Sequence, residues 1–237
     1  MIVTHTGKLG DFFYCLPVAS WIYKQANEKI HFVLPRCFVP FRKIESLLML
    51  QEMTERVSLV DFNVQHYKRG GQPYRLIPAC YGIKGEYVNF GFRNYKNRRG
   101  PRWLKNDLPD KFITEYYADE WGLGWDKSFV LNLGDIGNIE APVSTEALNI
   151  PAATNAGFVE KIDLENKNIL QNLQRMARAE RAHCHFSAVA AALYFARVAF
   201  TLYRHTNNPP TEYYFPDKSR YTVIKLKKRS KLWAFMN

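Results

Sequence analysis

The first seventeen residues, Met-Ile-Val-Thr-His-Thr-Gly-Lys-Leu-Gly-Asp-Phe-Phe-Tyr-Cys-Leu-Pro, limit the possible folds more than any other stretch of the chain. They read as a short apolar strand, a turn carrying Gly7 and Gly10, and a helix that begins around Asp11. A strand that stops at glycines and restarts as a helix leaves unpaired backbone N–H groups and the positive helix end facing one point. Such a point suits a phosphate or another anion. The spacing Gly7-x-x-Gly10 is not the dinucleotide fingerprint Gly-x-Gly-x-x-Gly, so the turn alone argues weakly for NAD or FAD. A tight strand-to-helix turn with Asp11 as a helix cap accounts for the same residues.

The next segments repeat the alternation. Pro17, Val18, Trp21, Ile22 and Gln25 recur at helical spacing, which predicts a helix ending near Asn27 with Pro17 in its first turn or so. Ile30-His31-Phe32-Val33-Leu34, closed by Pro35, reads as a strand buried on both faces, with His31 a core or edge residue rather than a ligand. Residues 41–53 give a second helical pattern and Val57–Phe62 a third strand. Strands separated by helices of this length imply right-handed crossovers and a parallel sheet.

With 237 residues and 47% hydrophobic content, the chain is long enough to bury one large core or two small ones. Its net charge of +11 points to an anionic partner or substrate: nucleic acid, a phosphorylated sugar or an acidic membrane face. Cys15, Cys37, Cys80 and Cys184 are scattered without a Cys-x-x-Cys pair, so neither a zinc site nor a disulfide framework is indicated. No stretch approaches the roughly 20 apolar residues of a membrane span, and the N-terminus lacks the apolar region of a signal peptide. A cytoplasmic protein is the expectation.

Between Tyr67 and Lys105 the periodicity fails. Residues 68–105 hold ten Lys and Arg against the single acid Glu86, and aromatic residues from Tyr67 to Trp103 are interleaved among them. Cations at irregular spacing can track a phosphate backbone while rings stack on unpaired bases. A solvated basic flap anchored by its aromatics fits the same composition. Residues 109–123 then read as a helix ended by Gly122 and bridging to a second domain, Ser128–Leu133 as a further strand, and 135–156 as loop.

From 157 onwards a second alternation begins: a strand at 157–163, a helix at 164–179 with Ile169, Leu173 and Met176 on one face, and a short strand around His183, Cys184 and His185. Ser187 is then placed at an N-cap, ahead of an alanine-rich helix and the strand Ala199–Tyr203. His183 and His185 fall on one side of their strand; with no third ligand in view, they read as phosphate-contacting or structural groups more readily than as a metal pair.

Gly10-Asp11, an apolar run and Leu16-Pro17 resemble the opening of the GT-B glycosyltransferases, specifically their heptosyltransferase-like branch. The helix end Met176-Ala177-Arg178-Ala179, the short strand and the turn Phe186-Ser187-Ala188 resemble that family's donor-binding segment. The likeness spans about residues 1–62 and 157–205. It implies an α/β fold of two Rossmann-like domains, the C-terminal one reduced, since family members are generally longer. Residues 1–108 would be the acceptor side, carrying a basic-aromatic insertion at 67–105, and 109–237 the nucleotide-sugar side with a basic tail.

By the same resemblance Asp11 is the base that takes the acceptor's proton. Lys8, Gly10, His185, Ser187 and the Ala188 N–H would hold the donor diphosphate, with the nucleotide-sugar as co-substrate and no metal or cofactor needed. A single displacement of this kind inverts the anomeric centre. The basic-aromatic segment, through Arg93, Lys96, Arg98, Arg99, Arg102 and Trp103, extends the expectation to DNA as a partner. The acceptor would be a hydroxymethylated base, as for enzymes that some bacteriophages encode. The alternatives are a lipopolysaccharide or other surface-polysaccharide acceptor, and a non-enzymatic nucleic-acid-binding module.

Overall fold

The computed structural model describes residues 1–5, 9–35, 44–60, 83, 85–90, 111–137, 143–145, 160–162, 168–205 and 210–226. Its first sheet follows from the apolar runs: β1 (Ile2–His5), β2 (Ile30–Pro35), β3 (Thr54–Val60) and β4 (Tyr87–Phe90) lie in the order β3-β2-β1-β4, all parallel. Val3 pairs with Phe32 on one side and Val88 on the other. Val3, Ile30, Phe32 and Phe90 are wholly buried, as central parallel strands require.

β4 corrects the sequence reading. The stretch 67–105 is not all insertion, because Tyr87–Phe90 completes the sheet beside β1. Phe90 packs edge-on against Tyr117 at 6.1 Å, so its ring belongs to the core rather than to a stacking surface. Four residues among glycines and cations gave too little alternation for a period of two to register.

The helix α1 (Leu9–Ala26) begins two residues before Asp11, and every residue from Phe12 to Ser20 is buried. Pro17 therefore stands in the interior of α1, not in its first turn, where it removes a backbone donor at a typical cost of about 3 kcal/mol. Burial on all sides holds the helix together there, and the Pro17 carbonyl accepts a hydrogen bond from the Asp126 N–H at 2.9 Å. Asn27, at φ +53°, ends the helix as predicted, its N–H bonded to the Tyr23 carbonyl. α2 (Ile44–Leu48) is shorter than its pattern implied.

After α3 (Ile113–Glu120) the chain turns at Gly122, φ +63°, and runs extended to Gly137. The strand expected at Ser128–Leu133 does not form. Leu131 and Leu133 are buried, yet their backbone partners lie outside any sheet: the Leu131 N–H donates to the Phe195 carbonyl, and the Gln51 side chain makes both bonds to the Asn132 backbone, each at 2.9 Å. Gln174 donates to the Leu133 carbonyl at 2.8 Å. This connector is thus bonded to both halves of the molecule.

Asp126 is the connector's firmest attachment. Its side chain is 8% exposed and accepts from Ser20 Oγ and Lys24 Nζ, both at 2.7 Å, and from the Ser128 N–H and Oγ. Burial alone would raise its pKa, but the bonds from Lys24, Ser128 and Ser20 prevail and hold it at about 2. A depressed carboxylate stabilises the fold above its unfolded pKa of about 3.9, and the contribution disappears as pH falls toward 2. The expected result is a loss of about 2 kcal/mol between pH 5 and pH 2, absent in Asp126→Asn, as read by urea titration at pH 5, 3.5 and 2. Nearby, a Cβ on Gly124 would lie 2.6 Å from Trp21 Nε1. Gly124→Ala should therefore cost about 1–3 kcal/mol in the same titration at neutral pH.

The second sheet contains β5 (Val143–Thr145), β6 (Glu160–Ile162), β7 (Ala182–His185), β8 (Phe200–His205) and β9 (Tyr221–Leu226) in the order β6-β5-β7-β8-β9, again all parallel. β5 falls within the stretch read as loop, and β9 within the stretch read as a basic tail. β5 and β6 are only three residues long. α4 (Ile169–Arg178) buries Ile169, Leu173 and Met176 as its period predicts, and α5 (Ala188–Phe195) is buried from Val189 to Phe195. Among the described residues no helix is long and apolar enough to cross a membrane.

Candidate active site

In an open parallel sheet, ligands bind beyond the carboxyl ends of the strands where the strand order reverses. The first sheet reverses between β1 and β4, and α1 starts directly beyond β1. The second reverses between β5 and β7, and α5 starts directly beyond β7. These two helix starts meet. A Cβ built on Gly10, in the first turn of α1, would lie 3.4 Å from both the Cα and the N of Ala188, the first residue of α5. At that distance an added methyl would just reach van der Waals contact, so the two helix starts lie close together.

The fold brings together five of the twelve residues read from the sequence. Asp11 is half-buried in the first turn of α1; Gly10 touches Ala188; Ser187 is the N-cap of α5; His185 ends β7 two residues earlier. Ser187 does not cap α5 with its side chain. Its hydroxyl donates backwards to the His185 carbonyl at 3.1 Å, so the first amides of α5 receive no side-chain acceptor from it. Lys8 lies outside the described residues, as do Arg93, Lys96, Arg98, Arg99, Arg102 and Trp103.

His183 is buried with Nδ1 3.2 Å from the Tyr203 hydroxyl, and burial followed by the charge of Arg181 lowers its pKa. Both causes favour the neutral imidazole at this place in the second sheet. Among the described residues no three His, Cys, Asp or Glu side chains cluster as metal ligands.

The helix starts rest on a floor of aromatic rings. Tyr14, one turn after Asp11, packs edge-on against Phe112, Phe195 and Tyr214 at 5.6–6.1 Å. Tyr214 in turn packs on Phe186, the residue before Ser187, at 4.7 Å. Burial, and after it the negative charge of Asp11, raises the pKa of the Tyr214 phenol well above its ordinary value. Burial also dominates the raised pKa of Tyr14 and Cys15, with Asp11 again contributing. Sequence reasoning missed Tyr214. The only signal was the aromatic run Tyr213-Tyr214-Phe215 after Pro209-Pro210, which follows neither a helical nor a strand period.

Chemically, a carboxylate at one helix start opposes backbone donors and a positive dipole end at the other. A proton can be taken on the α1 side while negative charge is stabilised on the α5 side.

This α/β fold of two parallel sheets is shared with solved glycosyl transferase family 9 and heptosyltransferase structures. Among solved structures, the chain is similar to the glycosyl transferase family 9 protein from Veillonella parvula DSM 2008, with a TM-score of 0.58 at 12% identity, over 95% of this chain and 85% of that one. It is equally similar to the E. coli heptosyltransferase WaaC with ADP, with a TM-score of 0.57 at 12% identity, over 95% and 93%. The dodecameric iron-containing heptosyltransferase TibC, in complex with ADP-D-beta-D-heptose, matches with a TM-score of 0.55 at 11% identity, over 97% of this chain and 63% of that one. No protein-family model matches the sequence, and no curated protein sequence matches it.

Proposed function

We propose that this protein is a glycosyltransferase that moves a sugar from a nucleotide-sugar to an acceptor hydroxyl on a phosphorylated lipid sugar or another surface polysaccharide precursor. The observation that supports the reading is the close approach of Gly10 to Ala188, which brings the start of α1, where Asp11 lies, up to the start of α5. Asp11 takes the acceptor proton, the acceptor oxygen attacks the anomeric carbon, and the diphosphate departs toward α5. One displacement inverts the anomeric centre. The surface-glycan acceptor is preferred over DNA because the similar structures include heptosyltransferases, one with ADP and one with ADP-heptose.

The test is nucleoside diphosphate release from a panel of nucleotide-sugars, with and without deacylated lipopolysaccharide precursors. Acceptor-dependent release from at least one donor is expected; none from any donor would overturn the reading. A DNA acceptor remains a second reading because of the charge density of residues 68–105. If those residues held a duplex, log K against log salt would fall by about 0.9 per phosphate contacted. Neutralising Arg98, Arg99 and Arg102 together would then flatten that slope by about two to three units. Absence of duplex binding at low salt removes it, together with the non-enzymatic nucleic-acid-binding alternative.

A further inference from the structure

We propose that Tyr214 is a phosphate-contacting residue of this site, its hydroxyl donating a hydrogen bond to the leaving diphosphate between Asp11 and the start of α5. The inference rests on the glycosyltransferase reading and adds to it a group that neither the sequence motifs nor the helix starts supply. Its position comes from packing: the ring touches Tyr14, three residues beyond Asp11, at 5.7 Å, and Phe186, immediately before Ser187, at 4.7 Å. Tyr214 thus packs on α1 one turn past Asp11 and on the residue before Ser187, held by the Thr211–Tyr213 turn, whose Thr211 carbonyl accepts from the Tyr214 N–H. The charge of Asp11 reaches the phenol, and with burial it keeps the hydroxyl protonated throughout the working pH range. A neutral donor suits a place between a carboxylate and a diphosphate, where a phenolate would repel both.

In the step itself the acceptor hydroxyl gives its proton to Asp11 and its oxygen bonds to the anomeric carbon. The bond from that carbon to the phosphate oxygen breaks, and the electron pair leaves on the diphosphate. Tyr214 stabilises that charge by donating a hydrogen bond and keeps its proton throughout.

Tyr214→Phe is the deciding variant, because it retains the ring contacts and removes only the hydroxyl. Its kcat should fall about 10- to 100-fold, as expected for losing a hydrogen bond to a charged group. In calorimetry its affinity for ADP should weaken while that for AMP, which lacks the second phosphate, stays at the wild-type value. A residue that merely packs would leave both readouts unmoved, and wild-type kcat with wild-type ADP affinity overturns the inference. Should Tyr214→Phe melt at a lower temperature than the wild type, the ADP-to-AMP affinity ratio still decides, since it compares two ligands on one variant. A wild-type protein that binds no nucleoside diphosphate and releases none from any donor overturns both this inference and the reading beneath it. Wild-type activity matched by Tyr214→Phe removes Tyr214 alone.

Discussion

Asp11→Asn is expected to lower sugar transfer by about 10² to 10⁴-fold while leaving nucleotide-sugar binding nearly intact. The asymmetry follows from where Asp11 stands. It occupies the first turn of α1, whereas the amides proposed to hold the donor belong to the start of α5. Asparagine keeps the shape and cannot accept the proton. Asp11 also sits at a helix start where a negative charge is favourable, so the variant gives up about 0.3–1 kcal/mol of stability. Transfer rates from initial-velocity assays, set beside donor affinity from calorimetry, separate the two effects. Transfer at the wild-type rate would take Asp11 out of the mechanism.

A second large effect is expected on the opposite side. Ser187→Ala should leave nucleoside diphosphate affinity within about twofold, because the hydroxyl already serves the His185 carbonyl rather than a helix amide. Ala188→Leu should weaken the same affinity tenfold or more, about 1.4 kcal/mol. The backbone of Ala188 faces Gly10 across the two helix starts, so a larger side chain at 188 is expected to push α5 from α1 or to cover its own first amides. Calorimetric titration of both variants with ADP and UDP reads the difference. Equal affinity in all three proteins would make the β7–α5 turn simple scaffold.

Much of this site was legible because its parts are local. A strand, a glycine turn and an acidic first helical turn are consecutive in sequence, and so are His185, Phe186, Ser187 and Ala188. Periodicity placed β2, α4 and β7, whose apolar faces are complete within one element. What could not be read was whatever is defined by a distant partner. β4 and β5 are three or four residues long and become strands only by pairing with β1 and with β6 and β7. The Ser128–Leu133 run has a strand's residues, yet Gln51 and Phe195 hold its backbone instead. The sequence reading puts Pro17 in the first turn or so because propensity speaks only for an isolated helix, and α1 is not isolated.

That last point bears on how the molecule comes apart. α1 is covered on every side from Phe12 to Ser20, by its own sheet and α3 on one flank and by α5 and the connector on the other. It carries the hydrophobic interior of both halves at once, so neither half has a complete core without it. One buried cluster thus runs across the residue 108/109 boundary drawn from the sequence. Melting should proceed as one calorimetric transition with equal van't Hoff and calorimetric enthalpies. A fragment ending at residue 108 would leave Tyr14 without Phe112, Phe195 and Tyr214, exposing an aromatic face to water and to other copies of itself.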